Sequence, residues 1–157
     1  MSGTLKIFSK IISGGQTGVD RAALDTVLAS GIPTGGWCPR GRRAEDGPLE
    51  PRYPLQETHS RNYADRTERN ILDSDGTLIL TRRKIKGGTA LTRRMARFHQ
   101  KPLLIVDSSD EMDFHPVLKW GRTFQVKTLN VAGPRESEEP GIYQEAVDFL
   151  RNILAAL

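Results

Sequence analysis

The chain has 157 residues, a net charge of +4, 37% hydrophobic and 27% charged residues, which suits one domain, residues 1–157, able to bury a core. Cys38 is the single cysteine, and His59, His99 and His115 show no metal-ligand spacing, so a disulfide framework and a cysteine-cluster metal site are excluded. No apolar run reaches the about 18–20 residues of a membrane helix, and Met1 to Lys6 lacks a signal-peptide core. The expectation is a cytoplasmic protein with no membrane partner.

Ile7 to Ser13 reads as a first strand, and Asp20 to Ser30 as its crossover helix, closed by Gly31 at the C-cap position. Ile32 to Trp37 predicts a short second strand, weakened by Pro33 and Gly35-Gly36. Residues 38–59 are irregular and rich in glycine, proline and arginine, as a loop over a binding site would be. Ser60 or Asn62 caps a helix running to about Asp73, with Tyr63, Thr67, Asn70 and Ile71 at helical spacing. After a turn at Asp75-Gly76, Thr77 to Thr81 is a strand of the kind buried on both faces. A basic loop, Arg82 to Lys86, leads to a helix over about Thr89 to His99. Leu103 to Val106 predicts another buried strand, Ser108 to Phe114 a polar turn, and Pro116 to Gly121 a short helix. Val126 to Ala132 is the last strand, and Gly141 to Leu154 the last helix. This alternation predicts a Rossmann-like, doubly wound α/β fold, a mainly parallel sheet flanked by helices in a single domain.

Charge is uneven. Residues 40–101 hold 15 Lys/Arg against 8 Asp/Glu, whereas residues 102–157 hold 5 against 9. A basic middle suits an anionic ligand. Aromatics are only 6% of the chain and do not interleave with the basic residues, so no nucleic-acid platform is expected.

Three strands exit into glycine loops: Ser13-Gly14-Gly15-Gln16-Thr17-Gly18, Lys86-Gly87-Gly88-Thr89, and Gly133-Pro134-Arg135-Glu136-Ser137. In an open parallel sheet these exits share one edge, where ligands bind. Glycines admit close backbone approach, and a helix N-terminus offers unpaired N–H groups to a phosphate. Thr17, Thr89 and Ser137 add hydroxyls, and Lys86 and Arg135 add charge. Asp20 reads as a helix-start acid or an acceptor for a ligand hydroxyl.

A dinucleotide fingerprint is absent, because Ser13 stands where its first glycine belongs and no acid follows at the ribose position. No loop contains Gly-Lys-Ser/Thr, so a P-loop is absent too. Asp20, Glu45, Asp46 and Glu68 could do acid–base work, but spacing alone pairs none of them, and no catalytic residues are expected.

The stretch Ile11-Ile12-Ser13-Gly14-Gly15-Gln16-Thr17-Gly18-Val19-Asp20-Arg21 resembles the molybdenum cofactor carrier family, as do Gly35-Gly36-Trp37-Cys38-Pro39, Ala44-Glu45-Asp46-Gly47 and Arg66-Thr67-Glu68. Gly87-Gly88-Thr89-Ala90-Leu91-Thr92 and Asn130-Val131-Ala132-Gly133-Pro134-Arg135-Glu136-Ser137 extend the resemblance over nearly the whole chain. It implies a Rossmann-like carrier of molybdenum cofactor (molybdopterin), a phosphorylated pterin held without turnover. It further implies a homo-oligomer, dimer or tetramer, with molybdoenzymes as recipients. Arg66 would add charge to the glycine loops, and Trp37 with the 38–59 loop would shield the ligand. The wider superfamily includes the lonely-guy, or lysine decarboxylase-like, phosphoribohydrolases. Their Pro-Gly-Gly-x-Gly-Thr-x-x-Glu loop is only partly matched at Lys86 to Arg93, where the catalytic glutamate is missing. A nucleoside-monophosphate phosphoribohydrolase or a nucleotide-sensing domain is the alternative.

Overall fold

Residues 6–82, 84–107 and 113–157 are described by the structure, a computed structural model. In chain order the elements are β1 (Lys10–Ile12), α1 (Val19–Ser30), β2 (Thr34–Gly35), β3 (Trp37–Cys38), β4 (Gln56–Glu57) and α2 (Tyr63–Leu72). Then come β5 (Gly76–Thr81), α3 (Gly87–Phe98), β6 (Leu103–Asp107), α4 (His115–Thr123), β7 (Thr128–Ala132) and α5 (Ile142–Ala155). Five parallel strands form the main sheet in the order β2-β1-β7-β5-β6, and β3 and β4 form a separate parallel pair. Residues 108–112, most of the expected polar turn, and Arg83 of the basic loop lie outside the described residues.

The winding follows from one crossover hand. Two connections run toward the β2 edge, and their helices α1 and α4 share a core cluster with α5. Two run toward the β6 edge, and their helices α2 and α3 pack on each other. This is the expected doubly wound Rossmann-like architecture.

Alternation along the strands gives the sheet two different faces. Ile11, Leu78, Leu80, Leu129 and Val131 join the cluster under α1, α4 and α5. The opposite face carries Thr77, Thr81 and Asn130, all buried, with Asn130 Nδ2 donating to Thr77 Oγ1 at 3.2 Å. A polar lining on the α2/α3 side is costly to bury, and it marks the side on which the sheet holds its crevice.

Three boundaries and the burial of one strand differ from expectation. β1 is three residues long, because Ile7 and Phe8 turn and put their side chains into the core. The single strand expected at 32–37 splits at Gly36, whose φ of +129° turns the chain, and whose Cβ would stand 2.2 Å from the Ser13 carbonyl. α3 begins at Gly87, so the second glycine loop is the first turn of a helix. β6 is half-buried rather than buried, because it is the sheet's edge strand. Other elements lie close to their expected positions. Asn62 caps α2 by accepting from the Ala64 N–H, and Gly31 closes α1 in the left-handed region.

Candidate functional site

At the C-terminal edge of the sheet, a crevice lies between the turn after β1, the face of α2, the first turns of α3 and the exit of β7. Its lining includes Gly14, Gln16, Asp20, Arg66, Gly88, Thr89, Gly133 and Arg135 among the expected residues. Sequence reasoning left Tyr63, Thr67, Asn70, Leu91, Thr92, Asn130, Val131, Ala132 and Glu138 out of the candidate set. Two signals for them were present. Tyr63, Arg66, Thr67 and Asn70 share one face of a helix at i, i+3, i+4 and i+7, and Asn130 is a lone amide within an apolar strand. The enclosed volume is about 70 Å³, far below the roughly 300–1,000 Å³ of a typical ligand pocket. It suits the charged end of a ligand rather than the whole of one.

Arg66 is the cation at the centre. Its Nη1 donates to the Gly14 carbonyl at 2.7 Å and to Asp20 Oδ2 at 3.4 Å. A Cβ on Gly14 would lie 2.0 Å from that nitrogen, so the guanidinium occupies the space the glycine leaves. Asp20, on the first turn of α1, also accepts the Gln16 N–H at 3.3 Å. Burial pushes the Asp20 carboxyl up to about 6 despite the opposing field of Arg66. The Tyr63 ring lies within reach of three guanidinium groups, Arg43 at 4.6 Å, Arg66 at 5.3 Å and Arg135 at 5.6 Å. Arg135 is paired with Glu138 at 3.0 Å.

The Gln16 amide is oriented by its neighbours. Its Oε1 accepts the N–H groups of Thr17 at 3.1 Å and Glu45 at 2.8 Å. Gln16 Nε2 is then a buried donor with no partner among the described residues. Such a group costs about 1–3 kcal/mol until an acceptor meets it.

The two helix N-termini differ. Ahead of α1 the Gln16 N–H donates to Asp20 and the Thr17 N–H to Gln16, and in its first turn the Val19 N–H donates to the Pro134 carbonyl at 3.2 Å, while the N–H groups of Asp20 and Arg21 have no acceptor among the described residues. At α3 the capping residue Lys86 makes no side-chain cap, and the N–H groups of Gly87, Gly88 and Thr89 have no acceptor among the described residues. Gly88 and Thr89 face the crevice, so α3 brings unpaired amides and a positive dipole end to it.

The remaining expected residues serve the frame around the crevice. Thr17 Oγ1 donates to Glu45 Oε2 at 2.7 Å and accepts the Glu136 N–H at 3.1 Å, while Ser137 Oγ donates to Glu45 Oε1. Glu45 thus clasps the first and third loops together from the long 39–55 loop. Glu136 caps α5, accepting from Gly141 at 2.6 Å and Tyr143 at 2.9 Å. Gly18 lets the loops touch, since a Cβ there would stand 2.3 Å from the Pro134 carbonyl. Gly15, whose φ is +81°, packs under Leu49 and Leu55. Lys86 and Gly87 are exposed at the start of α3. Trp37 is not in this lining but in a second pocket with Asp65 and Arg69: Asn70 holds its backbone N–H at 2.8 Å and carbonyl at 3.0 Å, and its Nε1 donates to Asp73 at 2.6 Å. Arg69 lies 4.4 Å over its ring. Cys38 is buried, and burial holds its thiol above the ordinary value, which suits a packing residue. Among the described residues no cluster could hold a metal ion, and no helix is long and apolar enough to cross a membrane.

A doubly wound parallel sheet with a basic, amide-lined crevice at its C-terminal edge defines a Rossmann-like α/β domain. The chain belongs to the circularly permutated YpsA SLOG family, whose family model matches residues 11–154. It is also similar to a crystal structure from Syntrophus aciditrophicus SB titled "Putative molybdenum carrier protein", with 46% identity, a TM-score of 0.89, and coverage of 92% of this chain and 93% of that one. Among curated proteins, none matches.

Proposed function

We propose that this protein is a carrier that binds molybdenum cofactor, a phosphorylated pterin, and holds it without turnover. The observation that carries this reading is the convergence on one small crevice of unpaired α3 amides, the Arg66 guanidinium and the partnerless Gln16 Nε2. All three are donors, and together they suit the terminal phosphate of such a ligand. The name of the Syntrophus relative supports the cargo. In this reading Gly14, Gln16, Asp20, Arg66, Gly88, Thr89, Gly133 and Arg135 surround the phosphate. Gly15, Thr17, Gly18, Pro134, Glu136 and Ser137 shape the loops, Lys86 and Gly87 add positive field at the α3 terminus, and the pterin extends outward. The carrier would act in the cytoplasm as a homo-oligomer and hand its cargo to molybdoenzymes. Purified protein mixed with free cofactor and gel-filtered should retain molybdenum and oxidised pterin in the protein peak; a bare peak at micromolar concentration contradicts the reading.

One observation favours a second reading. The raised Asp20 carboxyl beside Arg66 is a general acid in the range enzymes use, and it could replace the glutamate missing from the α3 loop. Free adenine released from AMP, and lost in Asp20→Asn, would establish a phosphoribohydrolase instead.

A further inference from the structure

We propose that Asp20 determines the specificity of the crevice, selecting a tetrahedral anion whose oxygens hold or take up a proton near neutrality, a phosphate or phosphate monoester, over sulfate and molybdate, whose oxygens do so only in acid. This rests on the phosphate reading above, and it bears on what a molybdenum carrier can take up: a phosphate-bearing ligand rather than bare molybdate.

The geometry is that of several donors facing a carboxylate: of the two carboxylates in the lining, Glu138 is paired with Arg135 and Asp20 faces the donors. Arg66, Gln16 Nε2 and the amides of Gly88 and Thr89 can only donate. Asp20 is 6% exposed and lines the same crevice. Its Oδ2 is engaged by the Gln16 N–H and by Arg66, while its Oδ1 has no hydrogen-bond partner among the described residues. An anion drawn in by the donors therefore comes to rest near a carboxylate oxygen with free lone pairs. Two fully ionised oxygens cannot share that space; a P–OH donating to Asp20 can, and the two acids are matched. The second ionisation of a phosphate monoester lies near pH 6, and burial places the Asp20 carboxyl at about 6 as well. One proton then serves both groups near neutrality.

The other charges facing Asp20 do not supply that proton. Arg66 from α2, Arg21 from α1 and Arg135 from the loop after β7 lower its proton affinity. Glu138 is paired with Arg135. Glu45 is bound to Thr17 and Ser137, and Asp46 to Arg21. The crevice residues of α3, Gly88, Thr89, Leu91 and Thr92, have no titratable group. For sulfate or molybdate the proton must come from solvent onto Asp20 itself, which becomes harder as pH rises.

Calorimetric titration of the full chain with inorganic phosphate, sulfate and molybdate tests this. At about pH 7.5 phosphate should bind at least about 30-fold more tightly than either competitor, the value of one charge-assisted hydrogen bond. At about pH 5 the preference should shrink at least about tenfold, because a protonated Asp20 can donate to any oxyanion. In Asp20→Asn, sulfate and phosphate should bind alike at both pH values. Equal binding of phosphate and sulfate by wild type at pH 7.5, or a preference unchanged in Asp20→Asn or by acidification, overturns the selection and leaves the phosphate site standing. Binding of no anion at all overturns both. Should Asp20→Asn fail to fold, the wild-type pH series decides alone.

Discussion

Asp20 and Arg66 meet at 3.4 Å across 46 residues of chain, both less than a tenth exposed, at the point where the first helix and the α2 wall close on the crevice. The pair is lopsided: Arg66 makes its shorter bond to the Gly14 carbonyl, and burial holds the Asp20 proton up to about pH 6.

Removing Arg66 should therefore cost an amount that depends on pH. Arg66→Met leaves the Gly14 carbonyl unpaired and Asp20 without its nearest cation, a loss of about 3–5 kcal/mol for a broken buried pair. Below about pH 6, Asp20 takes up a proton and the uncompensated charge disappears. Urea unfolding should show the larger loss at pH 7.5 and a loss at least about 1 kcal/mol smaller at pH 5; equal losses would mean that Asp20 does not sense Arg66.

Asp20 should also shape the stability of the wild type. Its carboxyl ionises at about 6 in the fold against 3.8 in the unfolded chain. Between those values the unfolded state has lost its proton and the folded state has kept it, so stability is highest below pH 4 on this account and falls as pH rises to 6. A two-unit rise is worth about 3 kcal/mol. In Asp20→Asn that falling limb should vanish, and the variant should gain on wild type as pH rises from 4 to 7, measured by thermal melts across the range.

Thr17 separates frame from site. Its hydroxyl is used twice, toward Glu45 and from Glu136. Thr17→Val should lower stability by about 1–3 kcal/mol and make the 39–55 loop easier to cleave with protease, while phosphate affinity changes less than about threefold. A large loss of affinity with an intact fold would return Thr17 to the ligand shell.

Two glycines of α1 make a matched comparison. Gly18 and Gly31 have φ of +79° and +78°, but Gly31 (ψ 3°) is in the left-handed helical region and a Cβ there meets nothing within 4 Å, whereas Gly18 (ψ −129°) lies outside it, where non-glycine residues are more strained, and a Cβ there would also collide with the Pro134 carbonyl at 2.3 Å. Gly31→Ala should cost about 1–2 kcal/mol from conformation alone. Gly18→Ala should cost at least about 1 kcal/mol more, read from the difference in unfolding midpoints.

The fold was largely legible because its signals are local. β-Branched runs bounded by glycine marked β1, β5 and β7, and Asn62 and Gly31 marked helix ends where capping chemistry requires them. The sheet edge was not legible, since nothing in Leu103 to Val106 says which strand lies outermost. At the site, glycine spacing and Arg66 pointed to residues that the fold brings together around one crevice. How far the first glycine turn is already occupied did not follow from spacing: the Val19 N–H is taken by Pro134, 115 positions away, and the Thr17 N–H by the Gln16 amide, whose orientation depends on Glu45. Gly87-Gly88 read as a loop because glycine disfavours helix interiors, although in the first turn that penalty matters least. Trp37 was expected to shield the ligand by the family resemblance; it lies outside the crevice lining, in a second pocket with Asp65 and Arg69 of α2.

Gly88 offers the most direct test. It lines the crevice in the first turn of α3, and a Cβ there meets nothing within 4 Å. Gly88→Asp adds a carboxylate at the positive end of a helix, which favours the fold by about 0.3–1 kcal/mol, and sets that charge where the phosphate belongs. The measurement is molybdenum and pterin co-eluting with the protein after incubation with free cofactor, for wild type and Gly88→Asp side by side. The account predicts retention by wild type and none by a variant that melts at the same temperature or higher. A wild-type peak without molybdenum, or a folded Gly88→Asp that retains it equally, would contradict the assignment of the α3 terminus as the cofactor's phosphate site.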